Sequence, residues 1–534
     1  MGSLLSPLIH RYLFLFTLGI AFCSLPFSRF TLSIGLIAFS INWVLEGDWH
    51  SKINRLKSNI SLFLFLLIYL FLLFGMLYTE DLHSGIRELQ QKIPLLIIPI
   101  VIATSKPTSE KEFFYIILSF CVAVTVSSFY SVYLFFGNYI NGGSNVREIS
   151  PFISHIRLGL MVNLALFLSL YYGFRFPEFI KTNKKLFFFG NALWLAFFLF
   201  ILQSLTGIII FFLTILILTI YLLFRYKKTH FRIIITTLMF AFTIILTYYI
   251  FDKANKFFTR NEIQTDSLPT HTVNGNKYYH IIENQQYENG YLVWINLSYI
   301  ELEEQWNRIS NLPYLGKDKM GQTLRLTLIR YLTSKGLPKD SLGISKLDEV
   351  DIQLIESGAT SVIFREHKFG LYPRLYQLFW EIDQYNMFRK ISGSPLIQRM
   401  VYIRAAVYII KQNFWVGVGT GDLTKSFNDY YEKNEPNLKP SYWFLSHNQF
   451  LTQWVSLGLF GFFVFLIGWF SPFIIEKKYT ELISITFMLI ITLSMLNEDT
   501  LETHIGVSLA SLFYSLFFFG REKKSNIVYE NVRE

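Results

Sequence analysis

The sequence predicts an all-α polytopic membrane protein with about twelve transmembrane helices and a mostly helical extracytoplasmic domain between the ninth and tenth spans. Three observations predict it. Hydrophobic residues make up 52% of the 534 positions and the mean hydropathy is +0.37, well above what a soluble chain of this size carries. Twelve apolar runs are long enough, or closely enough flanked by other runs, to cross a bilayer. One polar stretch, 252–447, interrupts them and is too long to be a connecting loop.

The runs fall at about 12–28, 30–45, 59–78, 93–104, 113–135, 156–173, 186–203, 206–224, 232–251, 449–475, 480–496 and 504–520, the fourth being short. The first passes almost at once into the second without an Ala-x-Ala-like exit, so it reads as a retained helix and not a cleaved signal. With the N-terminus in the cytoplasm, Lys52, Arg55, Lys57, Lys106, Lys111, Arg175, Lys181, Lys184, Lys185, Arg225, Lys227, Lys228, Lys477, Lys478, Arg521, Lys523 and Lys524 fall inside. The opposite short loops hold Arg87, Lys92 and Arg147. Basic residues favour the cytoplasmic side, which puts 252–447 outside. The expected division is a membrane domain at 1–251 with spans one to nine and a periplasmic domain at 252–447. Spans ten to twelve and a cytoplasmic tail follow at 448–534.

Within the polar stretch, Tyr278–Ile282 and Tyr291–Leu297 flank the turn-rich Glu288-Asn289-Gly290 and predict a hairpin. Helical periodicity follows at Ile300–Ile309, Gly321–Leu332, Lys346–Ile355 and Leu371–Tyr385, with Gly and Pro between. Gly417-Val-Gly-Thr-Gly421 looks like a phosphate-cradling loop but lacks the preceding strand and the Gly-Lys-Ser/Thr ending, so a nucleotide site is not expected there. The net charge of +10 lies mostly in short loops between apolar runs, which makes it orientation information and not a nucleic-acid patch. Cys23 and Cys121 sit inside apolar runs, where neither a disulfide framework nor a zinc site is supported.

No Asp or Glu falls in mid-span, which weighs against an ion-coupled transporter. The remaining candidates are polar residues at the outer helix ends. His155-Ile-Arg157 enters the sixth span, yet residues two apart on a helix point about 200° apart and cannot both face one ligand. Arg157 is either a ligand-binding group or an arginine snorkelling to head groups. On the helix beginning near Gln398, Arg399, Ile403, Ala406 and Ile410 share a face that Arg399 interrupts, whereas Arg404, Tyr408 and Lys411 form a polar face. Ser446-His447-Asn448-Gln449 matches a capping box, which would set His447 at the first helical position, where the dipole favours a neutral, basic ring. The alternative for His447 is a histidine at a membrane boundary.

Taken together, Arg399-x3-Ile403-Arg404-Ala405-Ala406, Gly417-x-Gly419-x-Gly421-Asp422 and His447-Asn448-x2-Leu451, with Gly458 and Gly461 beyond, resemble the O-antigen ligase family, which shares its membrane domain with O-antigen polymerases. Weaker likeness extends to Arg87–Pro94, His155–Gly159 and Ser204–Gly207. Many members carry an aromatic where Ile403 stands and an Arg where Leu205 stands, and the segment at about 260–395 is longer than usual, as in members with an enlarged periplasmic loop.

The resemblance implies transfer of a glycan from undecaprenyl diphosphate to an acceptor hydroxyl, such as that of the lipid A core, on the periplasmic face of the bacterial inner membrane. No metal, nucleotide or other cofactor is implied. It makes His447 the base and Arg399 its catalytic companion, with Arg157, Arg404, His155, Asn448 and Arg87 binding substrate. An O-antigen or capsule polymerase would use the same chemistry on a second glycan chain. A lipid-oligosaccharide flippase would leave no covalent product and would place polar groups along a central passage. A sensor would need a signalling domain that the short C-terminal tail lacks.

Overall fold

A computed structural model describes residues 6–140, 150–180, 185–225, 229–261, 268–367 and 371–521. The basic positions Arg147, Lys181, Lys184, Lys227, Lys228, Lys523 and Lys524 therefore lie outside the described residues. Each of the twelve apolar runs coincides with a helix. Local chemistry starts several of them: Asn59 accepts a hydrogen bond from Leu62 N at 2.9 Å, Asn448 from Leu451 N at 3.1 Å and Thr503 from Gly506 N at 3.3 Å.

Among the described residues seven helices are long and apolar enough to cross a membrane, or up to eight if Arg29–Leu45 and Trp49–Lys57, bent by 110°, count as one span. The helices of the other four runs, Pro94–Thr104, Lys185–Ile201, Leu482–Met495 and His504–Phe518, are shorter than a full span. Large side chains such as Phe16, Phe30, Phe74, Phe197 and Phe224 are exposed on these helices, as suits an apolar solvent. Polar side chains join helices instead: Asn163 donates to Gly159 O and Gly207 O, each at 2.9 Å, and Asn191 links Thr125 and Ser169.

Packing divides the chain into two compact units. The first comprises 1–132, 150–219 and 399–534, so the segment 399–447 packs with apolar helices, although hydropathy alone groups it with the polar stretch. Here the helix Gln449–Ile475 breaks at Gly458, with φ 65° and ψ −170°. The break leaves Val455 O and Ser456 O without their helical donors, and the glycine loop supplies them: Val418 N donates to Val455 O at 3.0 Å and Gly419 N to Ser456 O at 2.9 Å. In exchange Leu459 N donates to Phe414 O at 2.8 Å. The amides that would cradle a phosphate are thus engaged inside the protein. A Cβ on Gly458 would collide with the Trp415 backbone. Gly458→Ala is expected to cost at least about 1–3 kcal/mol, read as a lower thermal midpoint of the detergent-purified protein; an unchanged midpoint would contradict this account of the break.

The second unit comprises 133–149 and 220–398. Its core is built on Trp306, Leu328, Tyr331 and Leu332, all fully buried. The four predicted helices appear as Tyr299–Ile309, Leu324–Ser334, Glu349–Glu356 and Tyr372–Phe388. The hairpin differs from expectation. Its strands are Tyr287–Glu288 and Tyr291–Leu292, because Asn289 and Gly290 both take positive φ, 49° and 84°, and close a two-residue turn. Tyr278–Ile282 forms no strand and contributes a bridge from Tyr279 to Leu297, a hydrogen bond from Ile281 N to Trp294 O and one from Asn296 N to His280 Nδ1.

Candidate functional site

The residues brought together in the first unit converge on the connection between Leu482–Met495 and His504–Phe518, which carries Glu498, Asp499 and Glu502. This connection is held from several sides. Asn497 Nδ2 donates to Thr206 Oγ1 at 2.9 Å, Leu501 N donates to Gln449 Oε1 at 2.7 Å, and the Ser494 and Thr500 hydroxyls pair at 2.8 Å.

Glu498 bridges the two strongest sequence candidates. Its Oε1 lies 2.7 Å from Arg399 Nη2 and its Oε2 lies 3.3 Å from His447 Nδ1. Asp499 accepts from His447 N at 2.8 Å and from Thr452 Oγ1 at 2.6 Å, so backbone and ring of one histidine are set by adjacent acids. The ring also packs against Tyr402, with centroids 5.4 Å apart, and against Phe444 at 5.9 Å. Among the described residues His447 Nε2 has no hydrogen-bond partner.

Burial raises the Asp499 carboxyl, helped by the neighbouring Glu502, to about 6. Glu502 accepts from Lys92 Nζ and from Gln449 Nε2, both at 2.7 Å, and Lys92 also pairs with Glu88 at 2.5 Å. Burial and the charge of Glu502 push Glu88 up to about 8, whereas in Glu502 the burial is outweighed by Lys92 and by hydrogen bonds from Glu88 and Gln449.

His447 does not occupy the first helical position. It precedes the cap residue Asn448 and adopts φ 50°. The expected capping box is absent, since Ser446 Oγ receives Asn448 N at 3.0 Å and pairs with Thr452 Oγ1 at 2.7 Å, while the Gln449 side chain turns to Glu502 and Leu501. A carboxylate, and not the helix dipole, is what the ring faces. Asn448 uses both ends of its carboxamide locally, Nδ2 on Leu496 O at 3.0 Å and Oδ1 on Leu451 N at 3.1 Å.

The helix Pro395–Gln412 also corrects the expected faces. Val401, Tyr402, Ala405, Ala406, Ile409 and Ile410 are buried, whereas Ile403 is exposed on the side that carries Arg404. Arg404 is 54% exposed and meets Glu435 at 3.3 Å, against 29% for Arg399. Arg157 sits half-buried in the first turn of His155–Phe174. His155 opens the same helix, half-buried. Arg87 is exposed on Leu82–Lys92, the helix whose Lys92 reaches Glu502.

Sequence reasoning missed Glu498, Asp499 and Glu502. The acids had a signal: Asn497-Glu498-Asp499-Thr500-Leu501-Glu502 concentrates three carboxylates between two apolar runs, but composition does not distinguish acids that pack against a site from acids of a solvated loop.

Residues 360–466 match the model of the O-antigen ligase family. The match takes in Arg399, Arg404, the glycine loop, His447 and Asn448; Glu498, Asp499 and Glu502 lie beyond it. No curated protein matches the chain. Together with the apolar helices, the match supports a multi-pass membrane enzyme of the O-antigen ligase or polymerase type.

Proposed function

On the premise that residues 360–466 are an O-antigen ligase domain, we propose that the protein transfers a glycan from undecaprenyl diphosphate to an acceptor hydroxyl, that of the lipid A core, on the periplasmic face of the inner membrane. The observation that carries the reading is the Glu498 carboxylate held between Arg399 and His447. With Nδ1–H donating to Glu498, Nε2 bears the lone pair that takes the acceptor's proton. The acceptor oxygen then bonds to the anomeric carbon, and the bond from that carbon to the phosphate oxygen breaks, leaving its electron pair on the diphosphate. Arg399 keeps Nη1 and Nε for those oxygens, and Arg157 is the second cation. The donor is already activated as a diphosphate ester, so the reading calls for no nucleotide and no metal.

Deleting the protein and locating the accumulated glycan tests the proposal. Long chains retained on the carrier support ligation, single repeat units would instead identify a polymerase, and an unchanged glycan profile would end both readings. The periplasmic placement predicts that a reporter fused at Asn311 signals outside the cytoplasm; a cytoplasmic signal would invert the topology.

Arg399 should matter far more than Arg404. Arg399→Ala and Arg399→Lys are both expected to lose roughly 10²–10³-fold in transfer, because an ammonium cannot reproduce the guanidinium fork. Arg404→Ala should stay within about threefold in transfer, because Arg404 pairs with Glu435 and not with the Glu498 carboxylate. Wild-type transfer by Arg399→Ala at equal membrane abundance would remove Arg399 from the site.

A further inference from the structure

The second unit, taken by itself, contains a polar cavity of about 390 Å³ that the transfer chemistry does not use. One wall is the end of Thr229–Phe258 and the chain after it, with Asp252, Asn255, Lys256 and Asn261; the other is the hairpin turn, with Asn289 and Tyr291. From these walls we infer that the cavity is a saccharide-binding subsite.

The walls are set before any ligand arrives. Asn261 N donates to Gly290 O at 2.9 Å, tying one wall to the other. A side chain on Gly290 would begin 2.9 Å from Thr259 O, so the close approach requires glycine as much as its φ of 84° does. Asn289 is oriented by Nδ2 on Ser334 O at 3.0 Å and by its own N–H on Tyr376 Oη at 3.2 Å. Tyr291 rests on Gly336, where a Cβ would come within 2.9 Å of Tyr291 Cζ, and the residue remains 42% exposed.

The chemistry of the lining selects the ligand. The carboxamides of Asn255 and Asn261 have no hydrogen-bond partner among the described residues, and each offers donors and an acceptor side by side. Sugar hydroxyls are themselves donor and acceptor, and match such groups pairwise. The lining's two charged side chains, Asp252 and Lys256, pair with each other at 3.3 Å, so the lining carries no uncancelled charge that calls for a phosphate or a metal ion. An exposed aromatic ring beside planar amides gives a flat apolar seat for the C–H face of a pyranose. The volume is that of a small-ligand site, enough for roughly one or two sugar units.

The subsite stands on the cavity alone and goes beyond the proposed transfer. The sugar could belong to a soluble oligosaccharide or to a membrane-anchored glycolipid. Full-length protein in nanodiscs is applied to an array of immobilised neutral bacterial oligosaccharides, and separately to phospholipid vesicles carrying rough lipopolysaccharide. The expected result is retention on a subset of the oligosaccharides, weakened by roughly tenfold in Asn255→Ala/Asn261→Ala, the loss expected for two hydrogen bonds, and also weakened in Tyr291→Ala. Retention on the vesicles alone, with the same loss in the variants, assigns the sugar to a glycolipid and equally supports the subsite. His447→Ala should bind like wild type, which separates this inference from the catalytic reading. No retention on either probe, retention equal in the variants at unchanged thermal midpoint, or retention abolished by excess inorganic phosphate would overturn it.

Discussion

His447→Ala is expected to lower glycan transfer by about 10²–10⁴-fold while the carrier-linked donor still binds. The separation follows from geometry. Diphosphate contacts belong to arginines in the proposed mechanism, whereas His447 contributes Nε2, the nitrogen left open when Nδ1 faces Glu498. A ring that bound the diphosphate instead would lose donor affinity and rate together. Purified His447→Ala protein, measured for donor binding and for transfer, distinguishes the two. Near-normal transfer would leave the residue a boundary histidine, and both roles would fall. His447→Gln serves as the companion variant: it can still donate to Glu498 through its amide, so an equally large loss of transfer points to the missing base and not to a disturbed Glu498.

The helices were legible because hydropathy and capping are local properties. Each apolar run became a helix, and Asn59 and Thr503 cap where a polar residue precedes a run. The four helices of the second unit followed from periodicity in the same way. What was not legible depends on distant segments. Gly458 breaks its helix because a loop forty residues earlier supplies the replacement hydrogen bonds, and nothing within 449–475 announces that partner. The capping box at Ser446 failed because Gln449 finds Glu502, fifty-three residues away, a better partner than its own helix start. Of the site, Arg399 and His447 were visible through their local setting and through the family pattern, but the acid that joins them was not. A carboxylate in a short connection looks like any solvated loop residue until packing brings it against a guanidinium and an imidazole.

Glu498→Gln should lower transfer nearly as far as loss of His447, by about 10²-fold or more, although the side chain keeps its size. The reason is a count of acceptors. Glu498 uses one carboxylate oxygen on Arg399 and the other on His447, and a carboxamide has only one oxygen. If that oxygen stays with Arg399, the amide N–H₂ faces Nδ1, the imidazole proton must sit on Nε2, and the ring can no longer accept from the acceptor hydroxyl. If the amide turns over, an N–H₂ group opposes the guanidinium and Arg399 loses its anchor. Either arrangement disables one of the two groups. A merely structural glutamate would also lower activity, so the deciding measurement is a cycle with His447→Ala. Where Glu498 acts by positioning His447, the double variant should transfer no more slowly than His447→Ala alone, since residues that act as a unit are not additive. Losses that multiply in the double variant would show that Glu498 works independently of the histidine, and the carboxylate bridge would then lose its place in the mechanism.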